Sequence, residues 1–403
     1  MHIAIIWQRF LPYHIARIKH LSGRLSPLGH RLSAIEVASH DISYGFPVTE
    51  IDDNGNAFKH TCCFPGMSYH QLGAKQIHQK VLSILKGLHP EIVFAPATAF
   101  PEGMAAYVYR SLSGGRAVMM DDAWEYTDRK GFPTRIAKKI IHRNIDSAFI
   151  PGGGHLSYFM EMGFPEERVI FGIQAIDNDY FREEAERARM DEITHRNLHS
   201  LPSDYFLYVG RFLPRKGLET LIKAYSGYRK RVTATPWSLV LVGDGDYLDH
   251  IKNLAGNLPE VYFAGPKFGA ELCLYYGLAR MLIVPSLSDP WGLVVNEGMA
   301  SGLAVIVSRG CGAAKTLVQE GENGWTFEPR DDEALTKLME KASSLPRDAL
   351  NEMGRKSQSM VSEWSLDRFA DGVLKAIEIP RRPPAGLISD TLTRLWKGRV
   401  RVN

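Results

Sequence analysis

Residues 280–306, RMLIVPSLSDPWGLVVNEGMASGLAVI, outline one strand–helix–strand unit. "RMLIVPS" is a continuous apolar run, the pattern of a strand covered on both faces. "LSDPWG" is the loop after it, a helix begins near Gly292, and "AVIVSRG" opens the next strand. A parallel strand pair joined by a helix is the repeating piece of an open α/β sheet.

That unit carries two acids, Asp289 and Glu297. Glu297 is followed by Gly298, Met299, Ala300, Ser301 and Gly302, which do not make a solvated face. A buried carboxylate is costly unless something pairs with it. The plain alternative is a surface acid on an amphipathic helix. The first N–H groups of the helix, at Gly292, Leu293 and Val294, have no intrahelical partner and form an anion site. Glu297 lies five residues further on, about 7.5 Å along the axis. That is a reach from a phosphate to a ribose, whose hydroxyls a carboxylate accepts. Asp289, on the loop before the helix, is placed for hydroxyls of whatever the phosphate carries.

Outward from this unit the alternation runs through the whole chain. "HIAIIW" (2–7), "RLSAIEV", "EIVFAPA", "GRAVMMDDA" and "DSAFIPGGG" read as strands, with helical spacing between them. Residues 181–197 are highly charged, lack a clear apolar stripe and read as an interdomain connection, with a helix as one option. The alternation then restarts at "DYFLYVGRF". The expected organisation is a first Rossmann-like domain over 1–178, a connection over 179–203 and a second Rossmann-like domain over 204–356. A C-terminal helix over 357–379, packing back toward the first domain with Trp364 as its anchor, and a basic tail over 380–403 complete it. A chain of 403 residues suits two such domains. Two parallel sheets leave a cleft at the carboxyl ends of their strands, where ligands bind.

Other strand ends hold further candidates. In "YVGRFLPRKG", Gly210 closes a strand, Arg211 follows, and Lys216 precedes Gly217 and a helix. A guanidinium fork and an ammonium at such a junction suit a diphosphate; a solvated basic turn is the alternative. "LVGDGD" (241–246) lacks the full dinucleotide fingerprint, and Asp244 and Asp246 read as a tight turn before a metal-nucleotide element. The first strand has no glycine fingerprint, which weighs against a nicotinamide enzyme.

Composition excludes several classes. Apolar residues at 45% and charged residues at 23% are those of a globular protein, and a net charge of +3 gives no field for nucleic acid. Cys62, Cys63, Cys273 and Cys311 form no CxxC spacing and are expected to be reduced thiols. No apolar run reaches about 18 residues and no leader pattern opens the chain. A cytoplasmic protein is expected. Contact with the inner face of a membrane is an added expectation from "RIAKKIIHR" (135–143) and from Arg394, Trp396, Lys397, Arg399 and Arg401. A solvated face and a frayed tail are the alternative.

"GRFLPRKG", "DPWGLVVNEGMASGLAVI", "LVQEGENGWTFEP" and "GFPEERVIFGIQAIDNDYF" together resemble the retaining glycosyltransferases of family 4, which have the GT-B fold. The resemblance implies that Arg211 and Lys216 hold the donor diphosphate and that Glu297 clamps the ribose. It implies that Gly292, Leu293 and Val294 donate to phosphate and that Lys267 and Phe268 border the nucleobase. Asp289 stands where the family usually has Glu, which leaves the donor sugar in question. The first domain would hold the acceptor, with Arg9, Tyr13, His14, Glu125 and His155 as candidates. Asp121 and Asp122 end a central strand, and Asp122 is a candidate to assist catalysis or to cap the next helix. The donor would be a UDP- or GDP-sugar, with no metal required. The acceptor would be a glycan, a lipid-linked sugar or a small molecule, in polysaccharide or glycolipid synthesis. A nucleotide-sugar epimerase or hydrolase, or a non-catalytic nucleotide-sugar-binding protein, are the competing readings.

Overall fold

The computed structural model describes residues 1–40, 58–127, 131–232 and 234–400, so Arg401 lies outside the described residues. The chain divides into two compact units, Met1–Ala175 with Leu366–Asn403, and Ile176–Ser365.

The first unit is built on seven parallel strands: β1 (His2–Trp7), β2 (Arg31–His40), β3 (Phe58–Ser68), β4 (Ile92–Pro96), β5 (Arg116–Met120), β6 (Ser147–Ile150) and β7 (Val169–Phe171). Their order is β3-β2-β1-β4-β5-β6-β7. All six residues of β1 are buried. Ala4 and Ile6 face one apolar core and Ile3 and Ile5 the other, so helices cover both faces. The order reverses between β1 and β4, the switch point where such sheets bind ligands.

The second unit repeats the plan with six parallel strands: β8 (Tyr205–Val209), β9 (Ser238–Val242), β10 (Val261–Gly265), β11 (Met281–Val284), β12 (Ala304–Ser308) and β13 (Gly324–Phe327). The order β10-β9-β8-β11-β12-β13 reverses between β8 and β11. Leu282 and Val284 face one core, Met281 and Ile283 the other. The doubly wound α/β reading therefore holds in both units.

Three strands carry little sequence signal. β3 contains Pro65 and Gly66 and pairs only with β2, the edge position where proline is tolerated. β7 has three residues, and β13 is a short edge strand. The charged stretch after residue 177 forms two helices, Asn178–Met190 and Glu192–His199. The first of them packs Phe181 against Tyr276, with ring centroids 6.2 Å apart, and its buried Ala185 and Ala188 let it lie close against Gly277 of the helix Gly269–Leu278.

The helix Leu366–Glu378 packs in the first unit on the helix Pro12–Leu25, where Arg24 reaches Asp367 at 2.5 Å and Asp371 at 2.7 Å. Trp364 does not anchor it: this ring stacks on Trp291 of the second unit, with centroids 6.4 Å apart. The described part of the tail, residues 380–400, packs on the first unit. The buried pair Arg110–Asp146 holds its start, Arg110 donating to the Arg382 carbonyl and Asp146 accepting the Arg382 N–H at 2.7 Å. The helix Leu387–Leu395 follows, and Trp396 beyond it donates its indole N–H to the Thr98 carbonyl at 2.9 Å. Trp396 is thus spent on the first unit's core rather than on an outer surface.

Candidate functional site

In the second unit, the loops after β8 and β11 meet at the switch point. The Arg215 carbonyl accepts the N–H of Leu287 at 2.8 Å and of Ser288 at 3.3 Å. Gly217 closes the β8 turn at φ +71°, and a Cβ there would stand 1.9 Å from the Pro285 carbonyl oxygen. Only glycine fits that close approach.

This weld brings Lys216 to Asp289. Their Nζ and Oδ2 lie 2.5 Å apart, with side-chain exposures of 18% and 8%. Asp289 is fixed from behind: its N–H donates to the Gly310 carbonyl at 2.9 Å, and Ser286 Oγ lies 3.5 Å from Oδ2. The attraction at this burial is stronger than in a surface pair but is offset by desolvation of both charges, and removing one partner strands the other.

The turn into the helix Leu293–Ala300 is set by Gly292 at φ +90°, where a Cβ would lie 2.6 Å from Cys311 Sγ. Cys311 donates its thiol hydrogen to the Trp291 carbonyl at 2.7 Å, and burial pushes that thiol up, so it stays protonated. The Trp291 indole donates to Asn296 at 2.8 Å. These buried contacts hold the turn that opens the helix beside Asp289, whose Oδ2 lies 3.5 Å from the position a Gly292 Cβ would take.

Glu297 is on the same helix, its neighbours Asn296 and Gly298 buried. Tyr276 donates its hydroxyl to Glu297 Oε2 at 2.7 Å. Burial pushes the Glu297 carboxyl up to about 7, against which the Tyr276 hydrogen bond acts. The acid is therefore poised near neutrality rather than locked by a cation. Tyr276 was not singled out from sequence. After Glu271 its helix reads as apolar, and only the hydroxyl marks Tyr276.

Other residues singled out in this unit are placed as follows. Gly210 donates its N–H to the Val242 carbonyl at 3.0 Å, and the Arg211 carbonyl accepts the Tyr208 hydroxyl at 2.9 Å. Lys267 reaches Glu271 at 2.6 Å, and that carboxylate raises the lysine's pKa. Phe268 is the N-cap of the helix Gly269–Leu278. Asp244 folds back to accept the Gly245 N–H at 2.8 Å, which is tight-turn behaviour.

In the first unit, His14 is structural in its contacts. It stacks on Trp7 at 4.5 Å, and its Nδ1 lies 3.2 Å from the Leu11 N–H at the start of the helix Pro12–Leu25. Burial, with Arg17 beside it, holds its pKa well below the usual imidazole value. Arg9 is buried, Glu125 is exposed, and His155 is fully buried with its ring 5.7 Å from that of Trp124. Tyr13 lies under the Arg17 guanidinium at 5.0 Å. Asp122 accepts from Gln174 at 2.9 Å, and Asp121 accepts the Ala123 N–H. No helix begins there before Phe132 among the described residues, so neither aspartate is a helix cap.

Sequence reasoning missed three buried charges here. Arg17 donates to the Ala175 carbonyl at 2.7 Å, and burial lowers its pKa to about 10. Glu36, inside β2, accepts the Phe10 N–H at 2.7 Å. Glu102, in the first turn of the helix Pro101–Ser113 after β4, accepts the Tyr69 hydroxyl at 3.0 Å, and burial raises it to about 7. A single charge inside an apolar run was the available signal for Glu36 and Glu102.

Comparison with known proteins follows this geometry. Residues 190–360 match the family model described as glycosyl transferases group 1. An uncharacterized glycosyltransferase of Methanocaldococcus jannaschii is 33% identical over 129 residues, 31% of this chain and 32% of that protein. A GDP-mannose-dependent alpha-(1-6)-phosphatidylinositol monomannoside mannosyltransferase of Mycobacterium tuberculosis is 29% identical over 206 residues, 48% of this chain and 52% of that protein. The chain thus spans between 32% and 52% of these relatives' lengths. Sucrose-phosphate synthase from Thermosynechococcus elongatus superposes with a TM-score of 0.72 at 17% identity, covering 93% of this chain and 98% of that one, a likeness of fold.

Proposed function

We propose that the chain is a retaining family 4 glycosyltransferase using a nucleotide-diphosphate sugar, a reading supported by the match of residues 190–360 to the glycosyl transferases group 1 model. The observation that carries this reading is the second unit's switch point. There the Lys216–Asp289 pair lies against the turn that opens the helix Leu293–Ala300, and Glu297 follows on that helix. Lys216, Arg211 and the helix N–H groups at Leu293 and Val294 would take the diphosphate as it leaves. Glu297 would accept the ribose hydroxyls, and Asp289 a donor-sugar hydroxyl. A GDP-mannose-dependent relative favours testing GDP-sugars beside UDP-sugars.

The acceptor is proposed to be a hydroxyl of a glycan, a lipid-linked sugar or a small molecule, in cell-surface polysaccharide or glycolipid synthesis, and the first unit is proposed to bind it. A lipid-linked acceptor would bring the chain to the cytoplasmic face of a membrane. The positive charge needed for departure comes from side chains and backbone, so no bound metal is proposed. Accordingly, chelation with EDTA should leave turnover within about twofold.

Product analysis by NMR tests the reading. Incubation with UDP-, GDP- or ADP-sugars and a mixed acceptor set should give a glycoside with the donor's anomeric configuration. An isomerised sugar, or free sugar with nucleotide and no glycoside, would point instead to an epimerase or a hydrolase.

A further inference from the structure

The helix Leu387–Leu395 is inverted. Its inward face carries Ser389 and Thr393, 1% and 0% exposed, whereas Leu387, Ile388 and Leu395 are 83%, 73% and 71% exposed. Leu395 lies eight residues from Leu387 and seven from Ile388, so the three share the outward side, while Leu392 alone of the helix's four large apolar residues packs inward on the core. The inversion is built rather than frayed. Buried Asn144 donates through Nδ2 to Ser389 Oγ at 3.0 Å and to Thr393 Oγ1 at 3.1 Å, and Ser389 Oγ donates to the Ile140 carbonyl at 2.7 Å. Hydroxyls satisfied in this way can be buried, and they fix which face looks out.

Cations border the apolar stripe. Arg394 and Arg399 are exposed on this segment, as are Lys139 and Arg143 on either side of the Ile140 whose carbonyl Ser389 binds. Among the described residues, Asp390 is the one acid of the helix itself, and Glu161 is held by Arg135 at 2.7 Å. A leucine stripe ringed by basic side chains matches a bilayer interface, with acyl chains taking the leucines and anionic headgroups the cations. A second copy of this chain, set face to face, would bring the same cations against one another. Nine residues make about 13.5 Å of helix, far too short to cross a bilayer.

We propose that the outward face of the helix Leu387–Leu395 docks on membranes bearing anionic headgroups, lying in the interface plane with Leu387, Ile388 and Leu395 inserted. The docking does not depend on the donor-site reading, and Lys216→Ala should retain it in full.

Flotation of the full chain with phosphatidylcholine vesicles, with and without about 30% phosphatidylglycerol, tests this. Binding is expected only with phosphatidylglycerol, weakening as salt rises from about 0.05 to 0.5 M. The triple variant Leu387→Ser, Ile388→Ser, Leu395→Ser should bind at least about tenfold more weakly. These side chains are outward, so its thermal unfolding should match wild type. A matched pair of exposed apolar changes in the second unit, Met190→Ser and Leu198→Ser, should leave binding unchanged. The proposal is overturned if wild type fails to float at low salt or if the triple variant floats as well as wild type. It is equally overturned if wild type is a dimer that the triple variant dissociates while flotation is unaffected.

Discussion

At the residue scale, Glu297 is the group whose chemistry is most open to test. Burial lifts its carboxyl from the ordinary 4.5 to about 7. The folded chain thus keeps a proton that the unfolded chain releases. Its contribution to stability is present below about 4.5 and is lost as pH rises through about 7. A ribose diol donates to the ionised form, so nucleotide binding should release a proton below neutrality. Affinity should accordingly rise from pH 5.5 to 8, by up to about tenfold per unit below the folded pKa. Calorimetry in buffers of different ionisation enthalpy measures that release, and Glu297→Gln should remove it. A flat wild-type profile would exclude this role for Glu297. Gly217 gives a second test. Its φ of +71° and the Pro285 carbonyl leave no room for a methyl group, so Gly217→Ala should cost about 2–5 kcal/mol in urea unfolding.

At the element scale, the chain's apolar periodicity told helices from strands wherever the segment was long and its partners apolar. β1, β11 and β12 are continuous buried runs and were legible as such. The helix at Leu293 begins where Gly292 marks it. The helices Asn178–Met190 and Leu387–Leu395 were not legible. The first packs through Phe181 and two small alanines amid many charges, and the second buries hydroxyls that hydropathy reads as solvent-facing. The partner that satisfies those hydroxyls, Asn144, lies 245 and 249 residues away in sequence. Asn144→Ala should leave Ser389 and Thr393 poorly satisfied, at about 1–3 kcal/mol. Amide exchange across Leu387–Leu395 should then quicken. Unchanged protection would mean that the packing of Leu392 and Trp396 holds the helix unaided.

At the scale of the whole molecule, two doubly wound units follow from the alternation of strands and helices, because each parallel pair demands a crossover that the sequence displays locally. The chain's return at Leu366 to the unit containing Met1 is a long-range event. It rests on contacts such as Arg24 with Asp367 and Arg110 with the Arg382 backbone, which no local pattern encodes. The same distinction holds at the candidate donor site. The residues at 211, 216, 289 and 292 could be singled out because each sits at a strand end or a helix start, and Glu297 because it is a lone acid among apolar and small neighbours. That Lys216 spends its charge on Asp289 came only with the fold, since the two are 73 residues apart. This pair gives the short acid a partner, and under the proposed donor site a diphosphate would have to compete with Asp289 for Lys216.

Titration of UDP-, GDP- and ADP-sugars against wild type, Lys216→Ala and Glu297→Ala, each variant first shown to be folded by circular dichroism, tests the central claim most directly. Wild type should bind one nucleotide class, and each substitution should weaken it by at least about tenfold, or about 1.4 kcal/mol. Binding of none of the three by wild type, or equal binding by both folded variants, would contradict the donor site placed at Lys216, Asp289 and Glu297.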